Sequence, residues 1–144
     1  MENLFNRCQI FAPVLLRIGL SLVFLWFGFN QFFNPEMFLG YVPQQVAMLM
    51  YPFMQSHHLL LVYSAEQASL RLIMFNGIFE VILGMLLLLG LFTRITAGLL
   101  ALHLLSIAVS LGYNDVMIRD GGLMIALVSI VLHGPDQWCL GKKG

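Results

Sequence analysis

Long runs of apolar residues, separated by shorter polar stretches, dominate the pattern of this 144-residue chain. Four runs reach or approach the roughly 20 residues that an α-helix needs to cross a bilayer. They cover residues 11–33, 70–91, 95–112 and 116–133. Because a backbone surrounded by lipid has to satisfy its own hydrogen bonds, each run is predicted to form a helix.

The links between the runs differ in length, and this difference predicts the topology. The second and third links, residues 90–94 and 112–115, are tight turns, which make successive helices antiparallel neighbours. The first link, residues 34–69, contains prolines and apolar pieces that fit one or two short helices. The sequence therefore predicts one all-α domain over residues 1–144, an integral membrane four-helix bundle with the first link as a cap.

Composition points to lipid rather than water as the surroundings of this chain. Charged residues make up 10% of the chain, against roughly 25% in a soluble globular protein. The mean hydropathy is +0.88. The net charge of zero gives no reason to expect a nucleic-acid partner.

The distribution of Lys and Arg predicts the orientation of the bundle. With four spans, both termini lie on the same side as the second link, where four basic residues are found: Arg7, Arg94, Lys142 and Lys143. The positive-inside rule puts this side in the cytoplasm, which makes the cap extracytoplasmic in a cell-membrane protein. Cys8 and Cys139 then face a reducing compartment, where free thiols are expected.

Glu80 interrupts the second apolar run near its middle. Helical spacing puts Asn76, Gly77 and Gly84 on the same side of the helix as Glu80. A face of small and polar residues packs against other helices, so Glu80 is predicted to point into the bundle. Gly77 and Gly84 fit two arrangements, close packing within the bundle or a homodimer.

Polar residues on the other runs supply predicted partners for Glu80. His103 lies near the centre of the third run and is the first predicted partner. Arg17, in the first run, either reaches Glu80 or extends to the lower interface. Ionisable residues inside a membrane raise a functional hypothesis, while the alternative is that they only hold helices together. The candidate buried polar site consists of Glu80, His103, Arg17 and Asn76.

Other groups give less specific signals. Arg119 and Asp120, in the first turn of the fourth run, are secondary candidates, and the alternative is that they only mark a helix start. His57 and His58 have no third ligand nearby in the sequence, so no metal site is predicted. The sequence contains no haem-attachment, dinucleotide-binding or phosphate-loop motif. No covalently bound cofactor is expected, and enzymatic activity stays open, with none favoured for the isolated chain.

Three segments, in this order, resemble the DoxX family of small bacterial and archaeal membrane proteins. They read LRIGLSLVFLWFGFNQFFNP (16–35), FNGIFEVILGMLLLLGLFTRITAGLLALHL (75–104) and NDVMIRDGGLMIALVSIVLHGPDQW (114–138). The family's usual first helix carries an Arg near its start, matched by Arg17, and often a Lys near its end, where this chain has Gln31. The resemblance implies a four-helix membrane bundle and an association with membrane oxidoreductase complexes.

Two classes of function follow from these residues and this resemblance. The first is an accessory or scaffold subunit of a quinone-linked or thiol- or sulfur-related membrane redox system, with a membrane or soluble redox partner. In it, Glu80 and His103 accept protons or bind a quinone carbonyl. The alternative has no redox role: an assembly factor that binds partners through the cap, or a small solute or proton conduit.

Overall fold

The structure, a computed structural model, describes residues 9–56 and 64–141. Its elements in chain order are α1 (Ala12–Phe33), a short 3-10 helix (Pro35–Tyr41), α2 (Gln44–Ser56), α3 (Ala65–Leu89), α4 (Thr93–Leu111) and α5 (Asp115–His133). By length and composition α1, α3, α4 and α5 can each cross a membrane, and the two described ranges contain no strand. The predicted all-α four-helix membrane bundle is confirmed, and the 3-10 helix and α2 form its cap.

The helix boundaries agree closely with the apolar runs except at the start of α3. This helix begins at Ala65 rather than at residue 70, because Ser64 caps it: the Ser64 hydroxyl accepts a hydrogen bond from the Gln67 N–H at 3.2 Å. The polar first turns of α3 therefore extend towards the cap. His57, His58 and Cys8 lie outside the described residues, and the cytoplasmic placement of the termini stays a prediction.

The turn between α3 and α4 depends on Gly90. Its left-handed conformation (φ 69°) ends α3, and the Gly90 and Leu91 N–H groups donate to the carbonyls of Leu87 and Leu86. A Cβ atom at Gly90 would also lie 2.6 Å from the Cα atom of Cys139. The predicted tight turn is therefore specified both by backbone conformation and by close packing of the C-terminal segment.

Helices α1 and α3 approach until their backbones touch. A Cβ atom on Gly28 would lie 2.7 Å from the Gly77 carbonyl oxygen, and one on Gly77 would lie 2.6 Å from the Gly28 carbonyl oxygen. Further along α3, a Cβ atom on Gly84 would meet Phe24 and Leu25 at 3.3 Å. Both predicted small positions of α3 are thus used within the bundle, and they lend no support to a homodimer.

An apolar core fills the middle of the bundle. Leu87, Leu100 and Leu127, from α3, α4 and α5, are completely buried, and Leu20 and Phe24 of α1 complete the same cluster. Large apolar side chains also cover the outer surface of every spanning helix, where the hydrocarbon of a bilayer would surround them.

The residues after α5 turn back beneath the end of the bundle opposite the cap. The Leu140 and Gly141 N–H groups donate to the carbonyls of Leu89 and Gly90 at 3.1 and 3.3 Å. The Trp138 ring meets Phe11 edge-on, with ring centres 6.3 Å apart. The C-terminal segment therefore joins the end of α3 to the start of α1.

Replacing Gly77 by Ala should weaken the bundle by about 1–3 kcal/mol, because the added methyl group overlaps the backbone of α1. Reversible unfolding in mild detergent, followed by circular dichroism, measures the change. Gly19→Ala is the matched control, since Gly19 is an exposed α1 residue and a methyl group added there would meet no atom within 4 Å. Equal stability of the two variants would show that the α1–α3 contact is looser than described.

Candidate functional site

Glu80 of α3 is buried where this helix packs on α1, and both of its carboxylate oxygens accept hydrogen bonds. The Gln31 amide donates to Oε2 at 3.2 Å, and the Asn76 amide donates to Oε1 at 3.0 Å. Asn76 also donates to the Gln31 carbonyl oxygen at 2.6 Å, which closes the network. The polar face of α3 thus points into the bundle, as its helical spacing predicts.

His103 of α4 is the fourth member of the polar cluster, but its Nε2 atom makes no hydrogen bond to the described residues. Its Nε2 atom lies 3.5 Å from Glu80 Oε1, within the range of an ion pair. The same atom is buried and has no hydrogen-bond partner among the described residues, so the two groups are close but not aligned. The imidazole ring also packs against Phe79, with ring centres 4.9 Å apart. A buried nitrogen with an unmet hydrogen bond is uncommon and calls for a physical explanation.

Arg17 pairs with Asp136 and not with Glu80, so the prediction of Arg17 as a second partner for Glu80 is wrong. Its Nε atom donates to Asp136 Oδ2 at 2.6 Å, and Nη2 lies 3.4 Å from Oδ1. Nη1 donates to the Leu87 carbonyl at 2.8 Å and also to the Leu88 carbonyl. Both carbonyls belong to the last turn of α3, where the helix dipole favours a cation, and the Leu87 carbonyl also accepts from the Gly90 N–H. Arg17 therefore joins α1, α3 and the C-terminal segment.

Asp136 is the residue that sequence reasoning misses, because it follows the last apolar run. Burial alone would raise the pKa of Asp136, but hydrogen bonds from Arg17 and the Trp138 N–H, with the charge of Arg17, hold it below its ordinary value of 3.8. The Pro-Asp-Gln-Trp sequence does indicate a turn, and Asp136 Oδ1 accepts from the Trp138 N–H at 2.8 Å. Nothing in that local pattern identifies Arg17 as the partner.

Arg119 and Asp120 form a separate pair on α5. Two Arg119 nitrogens lie 2.9 and 2.8 Å from Asp120 Oδ1, and Asp120 is buried while Arg119 is half-exposed. The Arg119 guanidinium lies over the Phe27 ring of α1, 4.9 Å from its centre. The pair does not mark the helix start, because Asn114 caps α5 by accepting from the Met117 N–H at 2.8 Å.

A cavity of about 500 Å³ lies between these two polar groups, at the cap end of the bundle. Gln31, Asn76, Glu80 and His103 line one side, and Arg119 and Asp120 line another. The remaining lining is mostly apolar or aromatic, and the cap contributes Phe38, Tyr41 and Val46. Small-molecule sites in proteins have this size and this combination of apolar walls with a few polar groups.

The arrangement can bind a small ring compound and exchange a proton with it. The His103 ring lines the cavity beside Glu80, and because its unmet Nε2 atom is covered, a rotation of the ring would bring that atom to a bound molecule as donor or acceptor. Within residues 9–56 and 64–141, no three His, Cys, Asp or Glu side chains group as metal ligands. Of the predicted site residues, the structure therefore brings together Glu80, His103 and Asn76, adds Gln31, and separates Arg17.

Comparison with known proteins identifies a family. The DoxX family model matches residues 12–112, more than two thirds of the chain. The matched range includes every residue of the Glu80 cluster, while α5 and Asp136 lie beyond it. No curated protein and no solved structure matches the chain.

Asp136→Asn should destabilise the protein by about 3–5 kcal/mol, because it leaves the buried Arg17 guanidinium without a counter-charge. Trp138 fluorescence during detergent unfolding reports the change. Asp115→Asn is the control, since Asp115 is exposed in the first turn of α5. An Asp136 variant as stable as the Asp115 variant would contradict the structural role of the pair.

The same pair predicts a pH dependence. Because the pKa of Asp136 is lower in the folded state than its ordinary value of 3.8, the carboxylate stabilises the fold fully above that value. This stabilisation is lost as the pH falls through the lower, folded-state pKa. Wild-type stability should therefore fall below about pH 4, and Asp136→Asn should remove that part of the decline. A wild-type curve that stays flat there would contradict the prediction.

Proposed function

The chain belongs to the DoxX family, and on that premise we propose that it is an accessory or scaffold subunit of a quinone-linked or thiol- or sulfur-related membrane redox system. The cavity beside Glu80 carries this proposal. In it, a redox partner supplies the electrons, and this chain supplies a site within the membrane and the side chains that handle protons.

The cavity residues fit a quinone head. A quinone ring is flat and apolar and presents carbonyl oxygens that need hydrogen-bond donors. Phe24, Phe27 and Phe38 provide aromatic walls, and the His103 Nε2 atom is a buried group with an unmet hydrogen bond. When bound, a quinone would supply two-electron, two-proton redox chemistry. Glu80, which lies beside the His103 ring, would accept a proton from the ring or return one to it.

The proposal includes an orientation. The protein lies in the cell membrane with both termini in the cytoplasm, on the basis of Arg7, Arg94, Lys142 and Lys143. The cavity, which lies at the cap end, is then nearer the extracytoplasmic surface.

A scaffold without a redox role is the second candidate. The cap exposes Met37, Met48 and Leu49, which a partner or the lipid interface would cover. The conduit alternative is disfavoured, because the completely buried Leu87, Leu100 and Leu127 fill the bundle between the cavity and Arg17. A path for solute or protons through a single copy would have to cross this packed layer.

Glu80→Gln should lower quinone-linked electron transfer by the assembled system about a hundredfold, at the low end of what a positioned acid or base contributes. The amide keeps the shape of the side chain but turns one of its two acceptor atoms into a donor, so the variant should fold with a loss of about 1–3 kcal/mol, measured by unfolding in detergent. Glu66→Gln is the matched control, because Glu66 is an exposed glutamate in the first turn of the same helix. Electron transfer at the wild-type rate in Glu80→Gln would remove the proposed mechanism.

Purification in mild detergent, with mass spectrometry of the proteins and lipids that remain bound, should recover a redox protein together with a quinone. The scaffold alternative gives a different result. In that case a partner is retained by Glu80→Gln but lost when a charge is placed on the cap, as in Leu49→Glu, and no quinone is found.

A further inference from the structure

We propose that the cavity takes its ligand from the bilayer: the head of a lipid-tailed ring compound enters between α1 and α5, and its chain stays among the lipid chains. This inference rests on the proposed use of the cavity as a quinone site. It adds that the tail is part of what the protein recognises, and it identifies the opening.

The cap blocks the direct route from water. Phe38, Tyr41 and Val46 belong to the 3-10 helix and α2, and they line the cavity from the cap side. A ligand arriving from the aqueous phase would have to displace these apolar side chains. These side chains of the cap therefore favour entry of the ligand from the side of the bundle, between two helices.

Helices α1 and α5 contact each other less extensively than the two members of each close helix pair do, and side chains bridge them at the cavity. Helix α1 packs most closely on α3, and α4 packs most closely on α5, so the cavity lies between two helix pairs. At the level of the cavity, the Arg119 guanidinium over the Phe27 ring bridges α1 and α5. Arg119 is half-exposed, and its ion pair is with Asp120, its neighbour on the same helix, so a rotation of the Arg119 side chain would remove the bridge to Phe27.

The opening lies at the depth of the hydrocarbon. Trp26 lines the cavity and is 60% exposed at the outer surface, so it marks the edge of the opening. It lies about two turns before Phe33, the end of α1. A helix of this length is about as long as the roughly 30 Å hydrocarbon core is thick. The opening therefore meets acyl chains and not head groups.

The rest of the exposed lining is compatible with lipid. Ser106 and Ser110 of α4 also line the cavity, but their hydroxyl groups donate to the carbonyls of His103 and Ser106 at 2.7 and 2.8 Å. Their hydrogen-bonding capacity is thus used within α4. These two hydroxyl groups therefore add no unsatisfied polar group to the cavity that the ring would enter.

Tryptophan fluorescence of the purified protein in liposomes tests the inference. Trp26 lies at the opening and Trp138 at the opposite end of the bundle, so Trp138→Phe reports the cavity and Trp26→Phe is the matched control. The probes are a benzoquinone with a decyl chain and the same ring without a chain, compared at equal membrane concentration. We expect saturable quenching of Trp26 by the tailed ring, several-fold weaker quenching by the bare ring, and only unsaturable quenching of Trp138.

Variants of the bridge test the route. Arg119→Ala, in the Trp138→Phe background, should make quenching by the tailed ring several-fold faster. Arg119→Lys, which keeps the charge but has no planar group to stack on Phe27, should be intermediate. Ser129→Ala, at an exposed position of α5 away from the cavity, should leave the rate unchanged. Thermal unfolding of each variant establishes that the bundle is intact.

Two results would overturn the inference. One is equal saturable quenching by the two rings, and the other is a rate that Arg119→Ala leaves unchanged in a folded protein. Neither depends on a redox partner, so they differ from a failure of the proposed function. That failure would appear as normal electron transfer by Glu80→Gln while the isolated protein still bound the tailed ring.

Discussion

The contact between the backbones of Gly28 and Gly77 is the constraint on which the candidate site depends. Gln31 follows Gly28 by about one turn of α1, and Asn76 and Glu80 lie on either side of Gly77 on α3. With the two helices in contact at the glycines, the amide of Gln31 reaches both side chains of α3. A wider separation would break both hydrogen bonds of Gln31 and leave only the Asn76–Glu80 bond within α3, at a cost of several kcal/mol in a medium of low dielectric constant.

The two polar regions of the bundle differ in how completely their hydrogen bonds are satisfied. At the end opposite the cap, Nε and both terminal nitrogens of Arg17 contact Asp136 or the carbonyls of α3. At the cap end, Glu80 is satisfied but the His103 Nε2 is not, and a cavity lies beside it. A saturated network fixes a structure, whereas an unmet group beside a cavity is the feature expected where a ligand binds. The structural and the candidate functional polar residues are therefore separated along the bundle.

The sequence predicts the parts of this molecule that depend on local pattern. Apolar runs identify the four spanning helices, because length and hydropathy suffice for that, and helical spacing turns Glu80 inward. Depth along neighbouring helices is enough to pair Glu80 with His103, since a tight turn connects α3 to α4. Hydropathy alone predicts that α3 begins at residue 70 rather than at Ala65, because it takes no account of the capping hydrogen bond of Ser64.

The remainder depends on contacts between distant segments. Gln31 is one amide near the end of the first apolar run, so its hydrogen bonds to Glu80 and Asn76 do not follow from the pattern. Asp136 lies beyond the last apolar run, and only the return of the C-terminal segment brings it to Arg17. The cavity is lined by four spanning helices and the cap together, which no single run of residues encodes.

The Arg17–Asp136 pair also determines when the protein can finish assembling. The two residues are 119 positions apart, and all four spanning helices are synthesised before Asp136. Until then, the first helix has to stay in the membrane with an uncompensated guanidinium, which insertion scales put at about 2.5–3.5 kcal/mol. The favourable insertion free energy of the leucines and phenylalanines in that helix exceeds this cost. Closure of the bundle therefore waits for the segment after α5, and a chain cut short before Asp136 would keep an unpaired cation among its helices.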